Sequence, residues 1–302
     1  MDYDIIILTD QRYLKDHKDL YRHNVFYEDD LVLQAIRSRG LKVIRKAWDD
    51  PQVDWSQTKA VLFRSTWDYF DRFQEFLNWL KLISSKTELI NSHALISWNL
   101  DKRYLLELNK KGVRFPPTEF IEKGSTAPLT DILELFHSSV LVLKPCVSGA
   151  GRHTYLLDRS GVENYKMLFQ DLVAKEPMMV QEFQNNIVSR GEISLMVING
   201  VFTHAVLKKA KSGDFRVQDD FGGTVHDYEP TEEEIQFALK AVLACPEIPV
   251  YARVDIFYGN DNCLSLGELE LIEPELWFRK QPAAADVLAK AIEQKLTRDY
   301  EN

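Results

Sequence analysis

The 302-residue chain has little cysteine, no long apolar run and no excess of positive charge. Cys146, Cys245 and Cys263 are odd in number, scattered and without a C-x-x-C pair, which argues against a disulfide framework or a thiolate zinc site. The seven histidines form no H-x-x-x-H or H-x-H pattern, so any metal would have to be held by oxygen. Apolar runs are short, as in Ile5–Leu8 and Val140–Leu143, against the roughly 20 apolar residues that cross a bilayer. No membrane partner is expected. The opening M-D-Y-D-I-I-I-L carries acids where a secretory signal is basic, so a reducing cytoplasmic setting is the expectation. With 46 acidic against 37 basic residues the formal charge is −9, which disfavours a nucleic-acid partner bound through phosphate neutralisation. Repeats of solenoid period and low-complexity tracts are missing, and no G-x-G-x-x-G follows the first apolar run, so a dinucleotide site is not indicated.

What is present is an ordinary globular composition, 45% hydrophobic and 27% charged, in a chain long enough for about two domains or three small ones. Ile5–Leu8 reads as a strand buried on both faces, and Asp29 to Arg39 as a helix with Leu31, Val32, Ala35 and Ile36 on one face before Gly40. Strands at Leu41–Ile44 and Ala60–Phe63 and an amphipathic helix over Phe73–Ile83 continue the alternation, which implies a doubly wound parallel sheet. A helix over Asp101–Lys111 and the break F-P-P-T-E-F place a boundary near residues 100–117. Beyond it come strands at Val140–Pro145, Thr154–Leu157 and Met178–Phe183, then two hairpins and helices near 231–244 and 282–297.

Four segments carry candidate chemistry. Arg64-Ser65-Thr66-Trp67-Asp68-Tyr69 lies where ligands bind in open α/β sheets, beyond the carboxyl end of a strand. It reads either as a helix start capped by Ser65, Thr66 or Asp68, or as a substrate loop whose Arg64 grips a carboxylate. Lys144 ends a strand, and the small-residue loop Ser148-Gly-Ala-Gly151 after it reads as a plain turn or as backbone exposed to phosphate. In the last third, pairing Tyr258 with Cys263 puts Asp255 on one face with Glu268 and Glu270. A bulge at Gly267 would alter that register, and Arg253 opposite Glu268 offers a simple ion pair instead. Three carboxylates amid apolar neighbours call for a cation, and hard oxygen ligands indicate Mg²⁺. Finally, Asn199-Gly200 marks a hairpin that places Glu192, Ala205 and Lys209 on one face, followed by four cations between Lys208 and Arg216.

Taken in order, G-E-I-S-L-M-V-I-N-G, K-K-A-K-S-G-D-F-R, Y-A-R-V-D and G-E-L-E-L-I-E-P resemble the ATP-grasp carboxylate–amine ligases, in particular the glutathione synthetase and ribosomal-protein glutamate ligase branch, over about residues 98–278. R-S-T-W-D-Y, with its flanking tryptophan segments, is similar to the sub-branch that contains the ring-closing ligase of cycloserine biosynthesis. The resemblance implies an ATP-grasp fold: an N-terminal α/β domain over 1–100 on the substrate side, a central lid over 101–183 and a C-terminal subdomain over 184–302 with the Mg²⁺ site. It implies Lys102 and Lys144 as phosphate lysines and Ser148, Gly149 and Gly151 as the mobile phosphate loop. Glu182 and Phe183 would face adenine through backbone groups, with Gln181 beside them. Glu192, where relatives often have Asp, would stand near the ribose or its neighbouring lysine, and Lys209 and Gln218 would complete the nucleotide contacts. Arg216 takes the place of the arginine that stabilises the transition state and acyl phosphate, and Asp255, Glu268 and Glu270 those of the ligands of two Mg²⁺ ions, with Mn²⁺ as a substitute. Gln218 and Glu270 depart from the Asn common in peptide-forming relatives.

The implied activity is phosphorylation of a small-molecule carboxylate by ATP and capture of the acyl phosphate by an amine, releasing ADP and phosphate. Amide formation between two molecules, ring closure and addition of an amino acid to a protein tail all fit. So do a non-catalytic ATP-binding regulatory module and a simple kinase. A homodimer or homotetramer is the oligomeric expectation by analogy.

Overall fold

The computed structural model describes residues 2–149, 151–211, 213 and 222–298; Ala150, Arg216 and Gln218 lie outside them. β1 (Tyr3–Thr9), α1 (Leu20–Ser38), β2 (Val43–Ala47), β3 (Thr58–Phe63), α2 (Phe73–Ile83) and β4 (Glu88–Ile90) form the first unit. Its strands are parallel in the order β2-β1-β3-β4, as the alternation predicts. α1 begins well before the predicted Asp29 because Asp19 caps it through the Arg22 amide, a polar start without an apolar stripe to read.

α3 (His93–Asn99) and α4 (Tyr104–Lys110) lead into β5 (Thr118–Ile121), α5 (Leu129–Glu134), β6 (Val140–Pro145), β7 (Tyr155–Asp158), α6 (Lys166–Lys175) and β8 (Met178–Glu182). The four strands make an antiparallel sheet in the order β5-β8-β6-β7. α5 and α6 cover one face of it with Ile132, Leu133, Phe169 and Leu172.

α7 (Asn185–Arg190) precedes a five-stranded antiparallel sheet of β9 (Glu192–Ile198), β10 (Val201–Lys209), β11 (Thr224–Tyr228), β12 (Tyr251–Tyr258) and β13 (Leu264–Glu270), in the order β11-β10-β9-β12-β13. α8 (Glu232–Leu243), started by a capping box between Thr231 and Glu234, lies between β11 and β12 in the chain. α9 (Ala283–Arg298) returns to the first unit, where Leu288 and Ile292 share a core with Ile5, Ile7 and Ile36. That core also holds Met196, Ile198 and Tyr251, so the first and third sheets are joined by apolar packing. Among the described residues no helix is long and apolar enough to cross a membrane.

Two bulges correct the expected registers. Val201 faces Ile198 as expected, but the pairing shifts between Phe202 and His204, where the Thr203 hydroxyl donates to the Met196 carbonyl at 3.1 Å. From there Lys208, not Lys209, faces Glu192. In the second hairpin Tyr258 faces Leu264 rather than Cys263, and a second shift leaves Gly267 unpaired. Asp255 then stands opposite Glu268, and Arg253 opposite Glu270 rather than Glu268. The shared face of the three carboxylates survives.

Candidate active site

All three sheets border one cleft of about 590 Å³. The C-terminal sheet supplies its charged floor. Asp255 on β12 is buried and held from three directions: Ser194 Oγ donates at 2.5 Å, Lys208 Nζ lies at 3.1 Å, and Arg253 contacts both oxygens through Nε and Nη2. Burial opposes ionisation there, but Arg253 and Lys208 outweigh it and hold the carboxyl at about 2. Lys208 also pairs with Glu192 Oε1 at 2.5 Å. Burial works against its charge, yet Asp255 and Glu192 keep its pKa above the ordinary lysine value.

On β13, Glu268 pairs with Lys102 Nζ at 2.9 Å, and Glu270 pairs with Arg253. Burial pushes Glu270 up to about 8; Arg253 opposes this, and Glu268 and Asp255 add to it. Burial likewise raises Glu273, to about 7. Among the described residues no three His, Cys, Asp or Glu side chains form a group that could hold a metal ion as placed; Glu268 is paired with Lys102, and Asp255 and Glu270 with Arg253.

Lys102, Lys144 and the small-residue loop border the opposite side of the cleft. Lys102 donates to the Ser148 carbonyl at 2.7 Å, tying the small-residue loop to the Glu268 face. Lys144 on β6 donates to Gln181 Oε1 of β8 at 3.2 Å, and its pKa is lowered by burial and by Lys102. Ser148, Gly149 and Gly151 line the cleft, as do Gln181, Glu182 and Phe183. The amides of Glu182 and Phe183 are already engaged, donating to Pro117 and Val140 carbonyls at 3.0 and 3.2 Å. The Gln181 side chain bridges Lys144 and Thr118, and that of Gln184 bridges the Glu182 carbonyl and the Asn260 amide.

The N-terminal expectation is largely corrected. Arg64 is 3% exposed and bonds Glu28, Asp29 and the Pro274 carbonyl at 3.1, 3.1 and 3.0 Å. It braces the chain after β13 and does not line the main cleft. Ser65 bonds Asp29 and Thr9, Thr66 is buried, and Asp68 accepts from Trp48 Nε1 at 2.7 Å and pairs with Arg72. Tyr69 is buried beside Glu273. Of the six, Trp67 alone lines the cleft, with Nε1 donating to the Glu273 carbonyl at 2.8 Å. Lys209 is exposed and does not line it. Lining residues that the sequence reading missed include Lys208, Arg12, Tyr13, Tyr21, Arg152 and Trp277. Lys208 was hidden by an unsignalled bulge. Arg12 follows β1, where the strand-end rule applied to Arg64 would also have found it.

This architecture and charge layout define the class. A family model described as the RimK-like ATP-grasp domain matches residues 101–271, and the chain belongs to that family. It is an ATP-grasp carboxylate–amine ligase that uses ATP. Residues 5–91 match a second model, described as the N-terminal domain of the D-cycloserine synthetase DcsG. The chain is 31% identical over 288 residues to the cycloserine biosynthesis protein DcsG of Streptomyces lavendulae, covering 89% of this chain and 94% of that one. A crystal structure of D-cycloserine synthetase DcsG superposes with a TM-score of 0.85 at 28% identity, over 97% of this chain and 99% of that one. A probable alpha-L-glutamate ligase of Shewanella denitrificans is 30% identical over half of each chain. The D-alanine–D-alanine ligase of Bacillus anthracis shares the fold, with a TM-score of 0.67 at 14% identity over 99% of each chain.

Proposed function

We propose that the enzyme activates the carboxylate of a small amino-acid-like molecule as an acyl phosphate and closes it onto a nitrogen of the same molecule, with joining to a second small amine as the variant of the same chemistry. The observation that carries this is one cleft lined by residues of all three units, carboxylate face and N-terminal aromatic wall included, with similarity to the cycloserine enzyme across both halves. A carboxylate oxygen displaces ADP from the γ-phosphorus; the nitrogen then attacks the acyl carbon, phosphate leaves and the nitrogen loses a proton. Lys102, Lys144 and the 148–151 loop would hold the phosphates, and Arg216 would stabilise charge on the transferred phosphoryl group. Gln181, Glu182, Phe183, Glu192 and Gln218 would bound the nucleotide.

Asp255, Glu268 and Glu270 would hold Mg²⁺, and we take the number of ions as two. What supports this is register and donor chemistry: three hard-oxygen carboxylates share one face of β12 and β13, and burial, with Glu268 and Asp255 beside it, raises Glu270 to about 8 against the opposing effect of Arg253. When bound, the metal would neutralise phosphate charge. Lys102 pairs with Glu268 and Arg253 with Glu270 on the same face. Three free cysteines, two of them buried, support a reducing cytoplasmic setting, and a homodimer or homotetramer belongs to the same reading.

The test is ADP and phosphate release from Mg-ATP across a panel of amino acids, dipeptides and ureido or hydroxamate analogues, with mass spectrometry of each active well. A substrate-dependent signal with a dehydrated, ring-closed product is expected. ATP binding without release over the whole panel, and none with cell extract, would favour a regulatory module.

A further inference from the structure

Most cations lining the cleft are matched by carboxylates: Lys102 by Glu268, Lys208 by Glu192 and Asp255, Arg253 by Asp255 and Glu270, and Arg152 by Glu176 and Asp71. Lys144 is half-buried on β6 with an amide partner. Arg12 is arranged differently. It follows the carboxyl end of β1, on the N-terminal wall of the cleft, and its side chain is 48% exposed. Asp10, 1% exposed, accepts from Nε at 3.1 Å and from Nη2 at 2.6 Å, and also from the Arg12 amide at 2.7 Å. That fork fixes the plane of the guanidinium by one edge. The second edge, between Nη1 and Nη2, has no acceptor among the described residues, and it is the edge that receives a carboxylate in two parallel bonds.

The surroundings suit a small ligand. Tyr13 meets Trp67 edge-on with ring centroids 5.2 Å apart, Tyr21 lies 6.4 Å from the same indole, and Trp67 is pinned to the Glu273 carbonyl. Aromatic faces beside a guanidinium offer apolar contact to the carbon skeleton of a small ligand. Arg64 does not compete for the role, being enclosed by Glu28 and Asp29.

We propose that Arg12, held by Asp10 and walled by Tyr13, Tyr21 and Trp67, receives a carboxylate of the small-molecule substrate at the N-terminal end of the cleft. The inference rests on the ligase reading for the identity of the ligand as a carboxylate. It is tested by titrating each carboxylate of the panel, and its primary amide, into wild type, R12Q and R12K saturated with a non-hydrolysable ATP analogue, read by calorimetry. Wild type should prefer at least one acid over its amide by about 10- to 100-fold, the scale of a lost charged bidentate contact. R12Q should abolish that preference, R12K should keep part of it, and affinity for the ATP analogue should be the same in all three. An acid preference that survives in R12Q, or none in wild type, overturns the proposal. Arg12-dependent binding with no product from any well would remove the ligase reading and leave this site standing. Product formation with an unchanged KM in R12Q would do the reverse.

Discussion

Lys208 and Lys209 are adjacent and chemically identical, yet the fold gives them opposite tasks. Lys208 is 4% exposed between Glu192 and Asp255, whereas Lys209 is exposed on the other face of β10. Replacing Lys208 with Met leaves two buried carboxylates short of a counter-charge, and breaking a buried pair in this way costs about 3–5 kcal/mol. The same change at Lys209 should stay within about 0.5 kcal/mol, as for surface positions generally. Urea unfolding of K208M and K209M checks the contrast; equal midpoints would mean that Lys208 does not balance the carboxylates. Sequence alone pointed to Lys209 because strict alternation was counted through Thr203, and a one-residue bulge reverses every face beyond it. Arg64 shows the same limit. Its partners Glu28 and Asp29 lie on a helix far away in sequence, so a cation at a strand end looked available when tertiary packing had enclosed it.

At the scale of elements, glycines mark where segments meet. Gly191 joins α7 to β9 at φ +92°, and an added Cβ would lie 2.5 Å from the Lys208 carbonyl oxygen, so no other residue fits that entry to the floor of the cleft. Gly149 has a different reason. Its Cβ position is 2.7 Å from Cε1 of Phe70, so the small-residue loop after β6 rests directly on the N-terminal unit. Arg152 reinforces that contact, 3.5 Å from Asp71 and bonded to Glu176 at 2.9 and 2.8 Å. Gly149→Ala should push the loop away from Phe70 and admit water to the acyl phosphate, raising the ratio of ADP released to product formed. Phe70→Ala should restore the ratio in the G149A background. Measuring ADP against product in the single and double variants decides it, and an unchanged ratio in G149A would show that the contact does not seal the cleft. The S-G-A-G motif suggested a backbone-exposing loop; its neighbour Phe70 could be identified only from the assembled fold.

For the molecule as a whole, the parallel sheet, the two hairpins and the carboxylate face were legible because each follows from local periodicity, and the ligase family because its motifs keep their order. How the charges balance was not, since the cleft draws them from three units. That balance has a consequence for pH. Burial, reinforced by nearby carboxylates, places Glu270 at about 8 and Glu273 at about 7 in the folded protein, against an ordinary value of 4.5. Between the ordinary and folded values the native state binds more protons than the unfolded chain, so stability is fully present below about pH 4.5 and declines as pH rises through 7 and 8. Asp255, held at about 2 against its burial by Arg253 and Lys208, acts in the opposite sense, as does Glu268, held low by Lys102. Their contribution is complete above about pH 4.5 and is lost only on acidification; from pH 6 to 8.5 Glu270 and Glu273, with Glu28 and Glu192 raised in the same direction, act against His204 and Lys144, whose burial lowers them. The urea midpoint of the metal-free protein should fall across that interval, and Glu270→Gln should flatten the fall. Saturating Mg-ATP should flatten it as well, because positive charge on the carboxylate face favours the ionised form and binding to the native state alone adds stability. A midpoint that held level or rose from pH 6 to 8.5 would mean that the carboxylate face carries no excess of negative charge, and with it the reason for a metal there would go.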